Sequence, residues 1–438
     1  MDFKNYLVPG KTGLLIGIGG VSMSPLAEVL HDAGLDIRGS DMAESSNTLT
    51  LRERGIPIHI GHSADNVTDD ISFVIRTAAV HDDNPEVHEA HRRGIPVFER
   101  TQAWGALMRG YQNALCISGT HGKTTTTSMC THIMMAAEKD PTVMIGGTLP
   151  LLKACHRVGK GNTIIMESCE YYNSFLALNP TIAVVLNIEA DHLDFFKDLE
   201  DIKHSFRCFA ERVPAETGTV IANYDDANTM DALRGIARKV ITFGLNAKAD
   251  VYAQNIVHRG SVSEFDIYHR GNYFARVTLH VPGIHNVRNA LAATAAAIVL
   301  GVSPNAVKYG LAGFEGAGRR FDFKGKFQGA DLYDDYAHHP SELRALLDAV
   351  DTLNYQRTIV VFQPHTYSRT AKLFNDFVEQ LRRPTIVYLA EIYAAREKNT
   401  IGISSADLAA QIPGAKFYPT FAEIERELRR IAAGRISF

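Results

Sequence analysis

Cys116-Ile-Ser-Gly-Thr-His-Gly-Lys-Thr-Thr-Thr-Thr127 holds the residues of this 438-residue chain best suited to handling phosphate. An apolar run, Ala114 to Ile117, leads into it and reads as a buried strand. Ser128 to Ala137, with Met and Ile at helical spacing, reads as the helix that follows. A glycine-bearing turn between strand and helix gathers backbone N–H groups and a helix N-terminus at one point, which favours phosphate. Gly119 and Gly122 let the backbone wrap closely around Thr120 and His121. Lys123 can reach the outer phosphates, and Thr124 can offer a hydroxyl to magnesium. The strict phosphate-loop pattern puts a glycine where Ile117 stands, so the turn is a shortened variant built on Gly119. A nucleoside triphosphate is the expected ligand.

Acids and imidazoles follow at the ends of further predicted strands. Glu167 and Glu170 come just after the run Thr163 to Met166. In a parallel sheet, such positions line the ligand crevice, where a carboxylate would hold magnesium. Asn187-Ile-Glu-Ala-Asp-His-Leu-Asp194 follows the run Ile182 to Leu186 and places Asp191, His192 and Asp194 in the same crevice. Gly283-Ile-His-Asn-Val-Arg-Asn289 opens an alanine-rich helix. Asn286 there reads either as the helix cap or, with Asn289, as an amide pair facing a base such as adenine. Gly316-Ala-Gly-Arg-Arg-Phe321 sets Arg319 and Arg320 in a glycine-rich junction, as a solvated hinge or as ligands of a transferring phosphate. Asp334-Asp-Tyr-Ala-His-His-Pro340 and Gln363-Pro-His-Thr-Tyr-Ser-Arg-Thr370 are polar clusters at two later strand ends, where a third ligand would sit.

These residues need a framework of sheets to bring them together. At the N-terminus, Thr12 to Ile18 reads as a strand running into Gly17-Ile-Gly-Gly20. A helix follows from Ser24 to Ala33, then a strand from Leu35 to Arg38 that ends at Gly39-Ser40-Asp41. This is the nucleotide-binding βαβ arrangement without the last glycine of the dinucleotide fingerprint. Val74 to Thr77 and Pro96 to Phe98 are further strands. Thr163 to Met166, Ile182 to Leu186, Thr219 to Ala222 and Val240 to Phe243 fit a second, mostly parallel sheet. Period-two alternation between Asp250 and Pro282 predicts an antiparallel meander, with the helix Asn286 to Val299 after it. The last strands are Asp331 to Tyr333, Thr358 to Phe362 and Thr385 to Leu389. The fold is therefore expected to be α/β in three domains: residues 1–108, 109–314 and 315–438. The first and third would be Rossmann-like, and the middle one a phosphate-loop domain carrying a parallel sheet and a small meander.

Composition narrows the class further. With 45% hydrophobic and 21% charged residues the chain is that of a globular protein, and its length suits roughly two to three domains. A net charge of −4 argues against nucleic acid or an anionic membrane as partner. Five cysteines without Cys-x-x-Cys spacing predict reduced thiols. No signal-like region is seen, and no apolar segment reaches the roughly 18 residues of a membrane span, so a cytoplasmic protein is expected.

In their order along the chain, these motifs resemble those of the Mur ligases, the amide-forming enzymes of peptidoglycan precursor synthesis. The resemblance rests on Gly17-Ile-Gly-Gly-Val-Ser-Met-Ser24, Gly119 to Thr125, Asn187 to Asp194, His285 to Asn289, Asp334 to Pro340 and His365-Thr-Tyr-Ser-Arg-Thr370. The first of these, with His365 to Thr370 and Ile392-Tyr-Ala-Ala-Arg-Glu397, points to the branch that joins L-alanine to UDP-N-acetylmuramate. The alternatives are a sister ligase adding a whole peptide to the same sugar, and a nucleotide-binding relative without catalysis.

The resemblance implies a UDP-sugar on the first domain, ATP on the second and the amino acid on the third. Gly17, Gly19 and Gly20 would then meet the UDP diphosphate, with Asp41 near the uridine end. Lys123 would contact the terminal phosphates, and Thr124 or Thr125 with Glu167 would serve one Mg2+. His192 would belong to a second metal bridging the γ-phosphate and the sugar's carboxylate. Asn286 and Asn289 would face adenine, and Arg319 or Arg320 would meet phosphate. Tyr336, His339 and Arg369 would line the alanine site, and a monomer or weak homodimer is expected. Family members usually run on past the last helix into an apolar strand and a Gly-Ala-Gly-Asp turn. Here the sequence reads Ala433-Gly-Arg-Ile-Ser-Phe438, so a shortened C-terminal domain is expected.

Overall fold

A computed structural model describes residues 2–77, 79–395 and 397–433. The first sheet has five parallel strands in the spatial order Ile58–Ile60, Asp36–Asp41, Thr12–Ile16, Ile71–Arg76, Val97–Glu99. Thr12–Ile16 is fully buried, as a strand covered by helices on both faces must be. The order reverses at this strand, which opens a crevice at its carboxyl end, and the Gly17–Gly20 turn lies there. Gly39 to Asp41, expected to end the second strand as a turn, continue it instead.

The second sheet has ten strands. From one edge they run Asn272–Leu279, Val262–His269, Val251–Arg259, Lys239–Gly244, Thr219–Asn223, Ile182–Val185, Asn113–Ser118, Thr163–Glu167, Thr142–Leu149, Ala154–Arg157. The first three form the antiparallel meander, and the pairings from Val251–Arg259 through Thr142–Leu149 are parallel. Asn113–Ser118, which carries the phosphate turn, is flanked by Ile182–Val185 and Thr163–Glu167, so the two acid-bearing segments emerge on either side of it. Thr142–Leu149 and Ala154–Arg157 are absent from the sequence expectation, since Gly146-Gly147 interrupts the apolar run of the first.

The helix after the phosphate turn spans Lys123–Ala136, beginning at the lysine rather than at Ser128. Its five threonines are poor helix formers in isolation. Here they are mostly buried, and Thr127, Ser128 and Thr131 return their hydroxyls to carbonyls one turn back, at 2.8 Å each. The helix packs on Ile284–Val299 and Pro304–Ala312. In the former, Ala290 to Ala297 are buried almost without interruption, and small side chains let the helices approach closely.

Past residue 321 the strand foreseen at Asp331–Tyr333 takes a different partner. Ala330–Asp334 pairs antiparallel with Asp322–Phe327 as a separate hairpin. The parallel sheet of this region holds Ile359–Phe362, Ile386–Leu389 and Lys416–Phe417, and Leu343, Phe362, Phe377, Leu389 and Leu408 fill its core. The tail after Ala433, and Arg396 within the Ile392 to Glu397 motif, lie outside the described residues. No helix among the described residues is long and apolar enough to cross a membrane.

Candidate active site

The phosphate turn is tightly bound to its surroundings. Gly119 has φ 142°, and a Cβ on it would lie 2.8 Å from Leu186 Cβ; Gly122 has φ 85°, and a Cβ there would lie 2.6 Å from Asn289 Oδ1. Both positions exclude any larger residue. Asn187 clamps the turn by accepting from the His121 amide at 2.8 Å and donating to the His121 carbonyl at 3.0 Å, while its own carbonyl accepts from the Thr120 amide at 3.0 Å. Lys123 folds over the turn. Its Nζ donates to the Gly119 and Thr120 carbonyls and lies 3.0 Å from Glu170 Oε2. Burial pulls the Lys123 pKa down, and the Glu170 carboxylate more than offsets this, so the ammonium stays charged.

Beside it, Thr124 Oγ1 donates to Glu167 Oε1 at 3.0 Å, and Gly146 N donates to Glu167 Oε2 at 2.6 Å. His192 sits on strained backbone, φ 51°, with its ring stacked on Tyr171 at 4.3 Å. Its Nε2 is 3.7 Å from Asp191 Oδ2 and 3.9 Å from Glu170 Oε1. Lys123, Thr124, Glu167, Asp191 and His192 line one cavity of about 330 Å³. A hydroxyl and a carboxylate here, joined by an imidazole, are oxygen-rich donors that suit a hard cation such as magnesium.

A larger cavity of about 460 Å³ adjoins it and shares His121, Gly122, Thr124, Arg320 and Glu342. Asn286 and Asn289 form its floor. Asn289 Nδ2 donates to Asn286 Oδ1 at 3.2 Å, and Asn286 Nδ2 donates to the Pro282 carbonyl at 2.7 Å. The capping alternative for Asn286 is not realised, because Gly283 occupies the N-cap and no side chain caps that helix. Arg344, Ala345 and Asp348, from the C-terminal part of the chain, form the opposite wall.

That part of the chain closes over the phosphate turn. Arg320 faces both cavities, 3.7 Å from Glu342 Oε1. Arg319 has φ 59° and lies over the Tyr336 ring at 4.6 Å, largely exposed. His338 also lines the smaller cavity. His339 is buried instead, at the N-cap of Pro340–Asp351, where its Nδ1 is 2.7 Å from Ser341 Oγ. Ser341 Oγ is in turn 2.8 Å from His121 Nε2, and His121 Nδ1 is 3.3 Å from Glu342 Oε1. Burial opposes charge on His121, but Glu189 and Glu342 overcome it and push its pKa up to about 9. Burial and the neighbouring His121 hold His339 below the ordinary imidazole value, so a charged ring faces a neutral one through a serine hydroxyl. Asp335 accepts from the Phe321 and Ala337 amides at 2.7 Å each, and burial raises its pKa.

Arg369 reaches across to the central sheet. Its Nε and Nη2 both donate to Asp191 Oδ1, at 3.1 and 2.9 Å, in a pair with both side chains about nine-tenths buried. Lys372 Nζ donates to the Leu193 carbonyl at 2.8 Å. Arg369 and His339 therefore sit in the contact between domains, whereas Tyr336 and His338 face the smaller cavity.

The N-terminal glycine turn stands apart on its own sheet, and its amides are already engaged. Gly17 N and Ile18 N both donate to the Ser40 carbonyl, at 2.8 and 3.0 Å, Gly20 N to the Gly17 carbonyl at 3.1 Å, and Gly19 N to Asp41 Oδ2 at 2.8 Å. The donor role foreseen for these glycines is taken up internally, and Asp41 lies against the turn itself.

Three family models match the chain in succession: the "Mur ligase family, catalytic domain" over residues 15–112, the "Mur ligase middle domain" over 117–297 and the "Mur ligase, glutamate ligase domain" over 319–436. The UDP-N-acetylmuramate--L-alanine ligase of Agathobacter rectalis is 46% identical over 94% of this chain and 91% of its own length. The chain belongs to the Mur ligase family. The enzyme of the same name from Clostridium novyi is 45% identical over 94% of this chain and 89% of its own. Among solved structures, the UDP-N-acetylmuramate-alanine ligase of Thermotoga maritima superposes with a TM-score of 0.77 at 29% identity, covering 95% of this chain and 92% of that one.

This Mur ligase thus gathers Lys123, Thr124, Glu167, His192, Arg320 and Tyr336 around a single cavity, with Asn286 and Asn289 in the adjoining one. Glu189, Ser341 and Glu342 complete the junction and were not singled out from sequence. The signal for Glu342 was present: an acid in the first turn after Pro340, where it caps the helix by accepting from the His338 and His339 amides.

Proposed function

We propose that this Mur ligase joins L-alanine to UDP-N-acetylmuramate at the expense of ATP, in peptidoglycan precursor synthesis in the cytoplasm. The observation that carries the reading is the junction of two cavities at the phosphate turn. One is deep enough for a nucleoside, and the other is lined by Lys123, Glu167 and His192 and closed by residues of a different domain. Identities of 43 to 46% to enzymes named as alanine ligases favour alanine over a peptide as the second substrate.

On this reading residues 1–108 take the UDP-sugar, 109–314 take ATP and 315–438 take alanine. Asn286 and Asn289 face the adenine, and Lys123 neutralises the terminal phosphates. Thr124, Glu167 and His192 are the residues that would hold magnesium, which when bound lowers the repulsion between ATP and the sugar's carboxylate. The carboxylate attacks the γ-phosphate, giving ADP and an acyl phosphate. The alanine amine then attacks the acyl carbon and phosphate leaves. Arg320 faces the transferring group. His338 is better placed than His339 to accept the amine's proton, since it faces the cavity and burial, by lowering its pKa, keeps the ring in the neutral, proton-accepting form. Asp335, fully engaged by backbone amides, holds the loop instead.

Phosphate release, measured with ATP, UDP-N-acetylmuramate and L-alanine and with each omitted in turn, tests the reading. Release requiring all three supports it. Release with the tripeptide L-alanyl-γ-D-glutamyl-meso-diaminopimelate but not with alanine assigns the chain to the peptide-adding ligases, and no release under any condition removes the catalytic reading.

A further inference from the structure

Arg100 opens the helix Arg100–Met108 at the carboxyl edge of the first sheet, and none of the motifs above accounts for it. Its guanidinium donates to Ser22 Oγ, and no carboxylate among the described residues forms an ion pair with it. Its sequence neighbour Glu99 is turned to Arg76, at 3.1 Å. One turn along the same helix face, the buried Trp104 donates its indole N–H to the Ser22 carbonyl at 3.3 Å. The helix therefore grips Ser22 from two sides. Ser22 belongs to the loop that follows the glycine turn and leads into the helix Ser24–Asp32.

This loop differs from the glycines before it. The amides of Gly17, Ile18, Gly19 and Gly20 are all satisfied internally, and those of Met23 and Ser24 donate to the Gly20 carbonyl. The amides of Val21 and Ser22 have no partner among the described residues. Two adjacent free N–H groups, a helix start and a guanidinium held beside them converge at one place. Burial lowers the Arg100 pKa by more than the nearby charge of Glu99, itself turned to Arg76, offsets, a cost that a bound anion would remove. Asp41, which lies against the glycine turn, is committed to the Gly19 amide.

We propose that Arg100 is the cationic ligand of the diphosphate of the sugar nucleotide, acting with the free amides of Val21 and Ser22, while Gly17, Gly19 and Gly20 shape the turn without donating to the ligand. The inference rests on the reading that the first domain takes a UDP-sugar. A planar guanidinium can donate two parallel hydrogen bonds to a phosphate, which an ammonium does not reproduce.

Calorimetric titration of wild type, Arg100→Met, Arg100→Lys and Ser22→Ala with UDP, UDP-N-acetylmuramate and ATP tests it. Arg100→Met is expected to weaken UDP and UDP-N-acetylmuramate alike by roughly ten- to hundred-fold, the range for a lost hydrogen bond to a charged group, and to leave ATP binding unchanged. Arg100→Lys should restore part of the loss, and Ser22→Ala should show a smaller one. Undiminished UDP binding by Arg100→Met overturns the proposal. So does weakening confined to UDP-N-acetylmuramate, which would place Arg100 on the sugar's carboxylate, and so does an equal loss of ATP binding, which would mark a general structural defect. Wild type that binds ATP but neither uridine nucleotide overturns the UDP-sugar reading itself, a different result from an intact site indifferent to Arg100.

Discussion

Replacing His121 by Gln keeps a donor toward Ser341 and removes the charge between Glu189 and Glu342. The folded pKa of His121, about 9, stands above the ordinary 6.5. A base raised in this way contributes its full stability below the unfolded pKa and loses it as pH climbs through the folded one. The proton-linked part of its contribution is therefore about 3 kcal/mol near pH 6.5, about 2 near pH 7.5 and about 0.4 near pH 9. Glu189, held down to about 2, and Glu342, also lowered, stay ionised throughout this window, and His339 stays neutral over most of it. Because the network joins the phosphate turn to the first turn of Pro340–Asp351, the energy belongs to the docking of that helix. Hydrogen exchange over residues 338–347, corrected for intrinsic rates, reads it as a free energy of local opening. Wild type should exceed His121→Gln by a margin that shrinks through this pH range. A margin equal at pH 6.5 and pH 9 would refute the assignment of a charged His121.

Other expectations follow from neighbouring contacts. Lys123→Ala should abolish ADP formation while leaving UDP-sugar affinity nearly intact, and simultaneous loss of both in titration and turnover assays would contradict the division of substrates between domains. Gly122→Ala forces a side chain onto φ 85° and against Asn289 Oδ1, so it should destabilise by about 1–3 kcal/mol and raise KM for ATP; an unaltered melting temperature and KM would show that the turn relaxes freely. Asp191→Asn leaves Arg369 without its buried partner, a loss of about 3–5 kcal/mol in domain contact. Small-angle scattering should then show a larger radius of gyration, and an unchanged profile would count against the pair as a clasp.

Much of the framework was legible because the strands of a sheet covered on both faces are apolar throughout. Ala114 to Ile117 and Ile182 to Val185 could hardly be anything else. Thr142–Leu149 escaped because Gly146-Gly147 looks like a turn, although the first of these glycines serves to let Glu167 approach: a Cβ there would meet its carboxylate at 2.5 Å. The helix start at Lys123 escaped because local propensity disfavours four threonines, and tertiary packing overrides it. The site residues carried by the phosphate turn were readable from spacing alone. The link between His121 and Ser341 was not, since the two are 220 positions apart and ordinary in type, and only the closure of one domain over another brings them into contact.

That the nucleoside-sized cavity has its floor on Ile284–Val299 and its far wall on Pro340–Asp351 has a consequence for the order of events. Such a chamber admits its occupant only while its walls are parted, and an occupant touching both walls then acts as an adhesive between them. Tighter holding in the shut form would slow exit, so turnover would be limited by how fast the walls separate again, and a variant that loosens this seam could lose grip on its nucleotide yet cycle faster.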